Sequence, residues 1–321
     1  MAVVRSFPRS LPPTVETQTG APADRTLVYG VAGGVLAAAL YGGWAVVSRL
    51  GTLDALDPFD LAFLRFVVAG VVLLPVVLTQ PSGITGFAGV SWPRLAVLTA
   101  FSGLPYGMLV YVGYGLIPAS HGAVILPGSI VVFSAFFASR FLGERVAGWR
   151  LAGLVAIVAG IVALGTGGFA QGVPGQWRGH VMFVLAGAFW AAFTVAARAW
   201  RVPPVATTAF VTVASAGMYL PFYLLGAGLR IADHALLPLL LQAGYQGIAV
   251  GVVAVIVYTK VVAWLGAARA AAFTALVPAI ATVLAAIFLG EKVSGPAMVG
   301  LVLVSLGMVA SVIAGIGGAK R

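Results

Sequence analysis

The chain has 321 residues, of which 61% are hydrophobic and only 8% are charged, and it contains no cysteine. A soluble domain carries about 25% charged residues, so this composition excludes a soluble globular protein, and the lack of cysteine excludes a disulfide scaffold and any cysteine-based metal or redox site. In a soluble chain the net charge of +10 would suggest nucleic acid, but beside long apolar runs it indicates a positively charged membrane face instead.

Ten stretches of the sequence are long and apolar enough to cross a membrane, which takes about 20 residues for a helix. We number them span 1 to span 10: 28–48, 59–79, 95–116, 119–139, 147–166, 179–197, 207–227, 236–264, 270–290 and 295–315. The connections are short, so no soluble domain fits between the spans. The sequence predicts an all-α integral membrane protein with ten transmembrane helices. Residues 1–27 are expected to form a disordered cytoplasmic tail and residues 316–321 a short basic one.

The lysines and arginines outside the spans are distributed unequally between the two sides. With the N-terminus inside, twelve lie on the inner side and only four on the outer side, at Arg49, Arg178, Arg230 and Lys292. Positive charge favours the cytoplasmic side of a membrane protein. Both termini are therefore expected in the cytoplasm, and attraction to anionic lipid accounts for the basic charge without nucleic acid.

An internal repeat is the most informative feature of the sequence. Residues 141–164, FLGERVAGWRLAGLVAIVAGIVAL, align without gaps to residues 288–311, FLGEKVSGPAMVGLVLVSLGMVAS, with 12 identities in 24 positions. Shorter matches at a similar offset are 40–49 with 189–198 and 119–123 with 267–271. The repeat is thus about 148 residues long and contains five spans. Since five is odd, the second copy is inverted, an arrangement that supports alternating access to a site near the membrane midplane.

The paired motifs resemble those of the drug/metabolite transporter superfamily, and specifically its EamA-like exporters. Each copy carries Leu-Gly-Glu between its fourth and fifth spans, at Glu144 and Glu291. The segments 58–70 and 276–295 are similar to the second and ninth helices of that family. The resemblance extends over nearly the whole chain, and it favours a secondary transporter.

The resemblance implies two domains, a first five-helix repeat at 28–166 and a second, inverted one at 167–315. It also implies export of small metabolites, amino acids above all, across a bacterial inner membrane. In that family spans 1, 3, 4, 6, 8 and 9 surround a central cavity, and spans 5 and 10 lie at the periphery. The expected partners are a small-molecule substrate and the lipid bilayer, with no cofactor or metal, and the protein is expected to be a monomer or a weak homodimer. Close packing of spans 5 and 10 is expected at Gly153, Gly160, Gly300 and Gly307.

Aromatic and polar residues concentrate in the spans that the resemblance assigns to the cavity. Tyr41 and Trp44 fall on one face of span 1, and Trp190 begins the same spacing in span 6. Such side chains suit an amphiphilic solute because they combine a flat apolar surface with a polar group. The alternative for those near span ends is an interfacial aromatic belt. The predicted substrate-binding residues are Tyr41, Trp44, Tyr106, Tyr111, His121, Trp190, Tyr245 and Gln246.

Four further residues are candidates for gating or hinge roles. Arg65 and Lys260 are cations within apolar spans, where charge is usually functional, although both lie near enough to a span end to extend to the interface. Arg65 is expected to be a gate or helix-packing residue and not a direct ligand. Pro127 and Pro278 are expected to interrupt spans 4 and 9 and to free backbone carbonyls. They precede the glutamate of the following Leu-Gly-Glu motif by 17 and 13 residues, so their kinks would differ by about one turn.

The titratable residues at span ends give a weaker signal. His121 begins span 4 and is expected to cap that helix, with proton coupling as the alternative. Glu144 and Glu291 are expected to pair with local backbone donors or with Arg145 and Lys292. All eight acidic residues lie in loops, tails or helix ends, whereas proton and sodium relays usually need a carboxylate within the membrane. The sequence therefore predicts facilitated diffusion or weakly coupled export.

Other functions lack the residues that they need. The Asp54 and Asp57 pair superficially suggests a membrane prenyltransferase, but only one such cluster is present and Pro58 follows it at once. Zinc-protease, phosphate-loop and serine-hydrolase motifs do not occur, so the chain is not expected to be an enzyme. Multidrug export and sugar-phosphate or nucleotide-sugar transport remain alternatives within the superfamily. Span 1 lacks the glutamate of small multidrug exporters, and the spans hold few of the cations that phosphate would need.

Overall fold

The structure, a computed structural model, describes residues 23–144, 146, 148–170, 175–227, 231 and 234–318. Within these residues ten helical spans are long and apolar enough to cross a membrane, which confirms the predicted all-α membrane architecture. The helices of spans 1 to 5 are Ala23–Leu53, Pro58–Leu78, Trp92–Ser102 with Leu104–Leu116, Ala119–Leu142 and Trp149–Ala170. Those of spans 6 to 10 are Gln176–Trp200, Pro204–Phe222, Leu236–Gln242 with Val255–Leu265, Ala267–Thr274 with Val277–Leu289, and Gly295–Gly318.

The outermost spans are longer than the sequence predicted. Span 1 begins at Ala23 and span 10 ends at Gly318, so the first residues of span 1 are helical where a disordered tail was expected. A helix can extend past its apolar stretch because its backbone hydrogen bonds are internal, whatever side chains it carries. The remaining parts of the predicted tails, 1–22 and 319–321, lie outside the described residues.

The contact between spans 5 and 10 follows the inverted repeat. A Cβ atom on Gly153 would lie 2.6 Å from the carbonyl oxygen of Gly307, and one on Gly160 would lie 2.8 Å from that of Gly300. The repeat equates Gly153 with Gly300 and Gly160 with Gly307. The repeat therefore turns the contact of Gly153 with Gly307 into the contact of Gly300 with Gly160. A twofold axis between antiparallel helices requires this exchange. The predicted close packing is confirmed, and it depends on the absence of side chains.

Spans 1, 4, 6 and 9 pack as two equivalent pairs. Span 4 lies along span 6, where a Cβ on Gly187 would come within 2.4 Å of Ser129. Span 1 lies along span 9, where a Cβ on Gly42 would come within 2.8 Å of Ile280. Because the repeat relates span 1 to span 6 and span 9 to span 4, these pairs are copies of each other. Together they bring helices of both halves around the centre of the bundle.

Four spans depart from a continuous α-helix. Span 3 breaks at Gly103, two residues before Pro105, which lacks an N–H donor and suits the first turn of a new helix. Span 7 ends in a π-helical turn, Tyr223–Ala227, span 8 contains a longer π-helical stretch, Ala243–Ala254, and span 9 breaks before Val277. The sequence predicted spans 3 and 8 as apolar stretches of membrane-spanning length, which the structure confirms, but it did not predict the irregular backbone within them. Such irregular backbone is frequent at binding sites in membrane proteins.

The two prolines predicted to interrupt spans 4 and 9 behave differently. Span 4 continues unbroken through Pro127 to Leu142, so the prediction is wrong there. The missing N–H of one proline removes a single helical hydrogen bond, a loss that a helix of 24 residues tolerates within a bundle. Pro278 does follow a break, in the first turn of the second helix of span 9, and its carbonyl accepts a hydrogen bond from the Thr282 hydroxyl at 2.7 Å.

The connection between spans 2 and 3 is a small antiparallel sheet. Its three strands are Ser82–Gly83, Gly86–Phe87 and Val90–Ser91. Phe87 is buried and packs against Phe210 of span 7, with ring centroids 5.1 Å apart. The sheet therefore attaches this connection to the second half of the molecule.

Candidate functional site

Gln246, in the π-helical stretch of span 8, is the centre of a buried polar network. Its Oε1 accepts hydrogen bonds from the Trp44 indole N–H at 2.7 Å and from the Tyr111 hydroxyl at 3.1 Å. Its Nε2 donates to Ser48 Oγ and to Gln242 Oε1, both at 3.0 Å. The side chain is fully buried, and leaving such an amide unpaired would be costly. The network joins spans 1, 3 and 8.

Arg65 of span 2 lies against this network. Its guanidinium is 5.1 Å from the centroid of the Trp44 ring, a cation–π geometry, and its Nη1 donates to the backbone carbonyl of Gln246 at 3.4 Å. The side chain therefore points into the bundle and does not extend to the interface. Within the described residues Arg65 makes no ion pair with a carboxylate.

Tyr41, Tyr106 and Trp190 lie in or against the same buried core as Trp44. The rings of Tyr106 and Trp190 are 4.9 Å apart, and Tyr41 and Trp190 both pack on the buried core that contains Trp44. Arg65 lies within electrostatic range of the Tyr41 and Tyr106 hydroxyls. We call the following residues the central cluster: Tyr41, Trp44, Arg65, Tyr106, Tyr111, Trp190, Tyr245 and Gln246.

Half of the central cluster is buried, while Tyr41, Arg65, Trp190 and Tyr245 are partly exposed. Trp44 is 6% exposed and Tyr106 is 5% exposed. The Tyr245 hydroxyl donates to the Leu40 carbonyl at 3.1 Å and occupies the space beside Gly43. An open groove between spans 3 and 6 is entirely apolar and is distinct from the cluster. Its lining consists of Pro105, Met108, Leu109, Val112, Met182 and Phe189.

His121 pairs with another histidine instead of joining the central cluster. Its Nδ1 shares a 3.1 Å hydrogen bond with Nε2 of His180 in span 6, and the two buried rings are stacked. His121 does not cap span 4 as predicted, because the carboxylate of Glu291 binds the first N–H groups of that helix. His180 was not predicted, since a single histidine near a span end has no distinguishing pattern in the sequence.

Lys260, unlike Arg65, lies on the surface of the bundle. Its side chain is exposed on the outside of span 8 and makes no hydrogen bond or ion pair within the described part of the chain. Extension along the bundle surface toward the interface explains such a cation without a partner. Its gating role stays a prediction.

Glu291 binds the start of span 4 across the two halves. Its carboxylate accepts hydrogen bonds from the Ala119 N–H at 2.7 Å, the Ser120 N–H at 3.1 Å and the Ser120 hydroxyl at 2.7 Å. A carboxylate is well placed there, because the first N–H groups of a helix have no helical partner and carry partial positive charge. Nearby, Arg49 donates to the Tyr114 carbonyl at the end of span 3, at 2.7 Å. We call this the Glu291 end of the molecule.

Glu144, the repeat equivalent of Glu291, lies at the opposite end and binds cations. Its carboxylate pairs with Arg198 at 2.5 Å and with Arg150 at 3.5 Å. The first helix of span 9, Ala267–Thr274, which corresponds to the start of span 4, has no side-chain cap. We call this the Glu144 end. The predicted pairing of Glu291 with local donors or Lys292 is wrong, because span 4 occupies its carboxylate. The predicted pairing of Glu144 with Arg145 falls on a residue outside the described ones.

Asp60 lies at the start of span 2, a helix end, as predicted. Its burial was not predicted. It is 1% exposed, and its carboxylate accepts hydrogen bonds from the Tyr223 hydroxyl and from the Asp57 N–H, the latter at 3.1 Å. His234 Nε2 lies 3.9 Å away. With Asp57 it forms a capping box at the start of span 2, so its contacts are those of a helix cap.

Comparisons with known proteins agree with this architecture. The chain is 25% identical over 285 residues to the "Uncharacterized inner membrane transporter YedA" of Escherichia coli K12, covering 84% of this chain and 88% of the relative, and the protein of that name in E. coli O157:H7 gives the same values. A crystal structure of another protein aligns with a TM-score of 0.56 at 19% identity, over 92% of this chain and 99% of that one, which supports the fold alone. A model of the EamA-like transporter family matches residues 28–166 and 177–313, one match in each half. The protein therefore belongs to the EamA-like transporter family.

Proposed function

We propose that this protein exports small metabolites, amino acids above all, from the cytoplasm across a bacterial inner membrane by alternating access between its halves. The inner-membrane location rests on the name of its relatives and on the ten apolar spans. The excess of lysine and arginine at the Glu144 end supports a cytoplasmic position for that end and for both termini. The Glu291 end then faces the outside.

The observation that carries this proposal is the different bonding of equivalent residues at the two ends. At the Glu291 end a carboxylate of span 9 holds the start of span 4, which keeps these two spans together. At the Glu144 end the equivalent carboxylate holds Arg198 of span 6, and no side chain caps span 9. A transporter in one state of an alternating cycle requires such an inequality between repeat-related ends.

Transport exchanges these two arrangements. In the opposite state Glu144 caps the first helix of span 9, while Glu291 releases span 4 and pairs with Arg49. Glu291 can form this ion pair after a small movement, because Arg49 already lies within electrostatic range of its carboxylate. Each carboxylate keeps a charge-assisted bond in both states, so the two states differ little in energy, as a switching element requires.

The central cluster lies between the two ends and provides the substrate site. Its aromatic faces suit the apolar part of a solute, and its polar groups fix orientation. Within the described residues no group of three histidine or acidic side chains comes together as metal ligands. The described acids lie at span ends or in connections, which supports weakly coupled or uncoupled export.

The direct test is counterflow in proteoliposomes that contain the purified protein and an excess of one unlabelled amino acid. Labelled amino acid should accumulate transiently inside, and for a transported solute the signal should exceed that of protein-free vesicles. A variant with Gly153 replaced by leucine, which disrupts the contact between the halves, is the inactive control. Absence of counterflow for every amino acid tested would overturn the proposed function.

A further inference from the structure

Arg65 carries a charge inside the bundle without a carboxylate to balance it. It contacts the Trp44 ring, at 5.1 Å, the Gln246 carbonyl, at 3.4 Å, and the hydroxyl of Tyr111. None of these uncharged groups neutralises the charge. The three ion pairs of the described residues all lie elsewhere and involve Glu144 or Asp60. Intramembrane charge is costly, so an unbalanced guanidinium at this depth calls for an anion from outside the chain.

The polar groups around Arg65 that make no hydrogen bond within the described residues are able to donate one. They are the hydroxyls of Tyr41 and Tyr106. The indole N–H of Trp190, whose ring packs against Tyr106, is a further donor of this kind in the central cluster. The side-chain oxygen Oε1 of Gln246, in contrast, already accepts two hydrogen bonds. A guanidinium and an indole can only donate, and a phenol can donate as well. The donors that lack a partner therefore suit a ligand group that only accepts hydrogen bonds.

We infer that Arg65 binds the carboxylate of the transported molecule, with the Tyr41 and Tyr106 hydroxyls as additional donors. This inference rests on the proposed transport function and assigns the anionic part of its substrate. The fork of N–H groups on arginine matches the two oxygens of a carboxylate. The ring faces of Tyr106 and Trp190 contact the apolar side chain of the substrate. The described residues of the central cluster include no acid, so the amino group of an amino acid is not required for binding.

Three probes that share a phenyl ring on a two-carbon chain separate the contribution of the carboxylate from that of the ammonium group. Phenylalanine has both charged groups, 3-phenylpropionate has only the carboxylate, and phenethylamine has only the ammonium group. Their binding is measured by calorimetry on the purified full-length protein in detergent. Phenylalanine and 3-phenylpropionate should bind with similar affinity, and phenethylamine at least about tenfold more weakly, since charge-assisted hydrogen bonds to the carboxylate are lost.

Variants then assign the effect to Arg65. Arg65→Gln should weaken binding of both carboxylates at least about tenfold and leave phenethylamine unchanged, and Arg65→Lys should restore part of the affinity. Arg25→Gln is the matched control, because it removes the same guanidinium charge from an exposed position at the start of span 1 and should change none of the three affinities.

Several outcomes would overturn the inference. Phenethylamine binding as tightly as the two carboxylates would do so, as would wild-type protein that binds neither carboxylate. An equal loss for all three probes in Arg65→Gln would mean that Arg65 only packs against Trp44. Failure of the proposed function gives a different result, namely carboxylate binding that depends on Arg65 without counterflow of any amino acid.

Discussion

Glu291 and Glu144 occupy equivalent positions in the repeat, yet Glu291 binds the N–H groups of a helix and Glu144 binds two arginines. The backbone of the target spans differs accordingly. Span 4 is one helix from its first residue, whereas span 9 begins with the short helix Ala267–Thr274 and then breaks. The same sequence motif thus supports two bonding arrangements, and the state of the neighbouring helix decides which of them forms.

The largest expected effect concerns which end faces which compartment. The chain has no cysteine, so single cysteines can be introduced without background. Ser82→Cys, at the Glu144 end, should react with a membrane-impermeant reagent only after the membrane is opened. Arg178→Cys, at the Glu291 end, should react in intact spheroplasts. Reaction of both positions from one side would contradict the opposite orientation of the two ends.

The next effect concerns the contact that holds the two halves together. Gly153→Leu should destabilise the protein by about 3 kcal/mol or more, because the side chain would collide with the backbone of Gly307. Thermal unfolding in detergent measures the loss. Gly165→Leu, in the same span but with open space at its Cβ position, should unfold close to wild type. Equal unfolding temperatures for the two variants would mean that spans 5 and 10 do not pack as described.

The two glutamates should differ in their contribution to stability. Glu291→Ala should cost about 2 kcal/mol, because it leaves two helix N–H groups and a hydroxyl without their acceptor. Glu144→Ala should cost less than about 1 kcal/mol, since its ion pairs are partly exposed and screened. Thermal unfolding of both variants under the same conditions measures the difference. A loss for Glu144→Ala as large as that for Glu291→Ala would remove the inequality between the ends.

The sequence predicted the spans, the repeat and the glycine contact because each depends on local composition or on identity between copies. The aromatic residues of the central cluster were predictable for a related reason, since polar side chains are rare in apolar spans. Trp44, Tyr111 and Gln246 do share one network. Their roles in substrate binding stay predictions.

The remaining features depend on partners that leave no trace in the sequence. Glu291 binds backbone N–H groups, which every residue except proline carries, so no pattern identifies span 4 as its target. His180 was missed for the same reason, because its partner His121 lies in another span. The inward position of Arg65 depends on the ring of Trp44, a contact between spans 1 and 2 that spacing within one helix cannot reveal.

The exchange of bonds between the two ends is tested most directly by distances between spin labels on equivalent pairs of sites. Labels on Leu116 and Ile287 report on the Glu291 end, and labels on their repeat equivalents Trp264 and Arg140 report on the Glu144 end; all four side chains are exposed. Pulsed electron paramagnetic resonance compares wild type with Glu291→Gln, which weakens the cap on span 4. The account predicts that the first distance increases while the second decreases. Two unchanged distances, or two changes of the same sign, would contradict it.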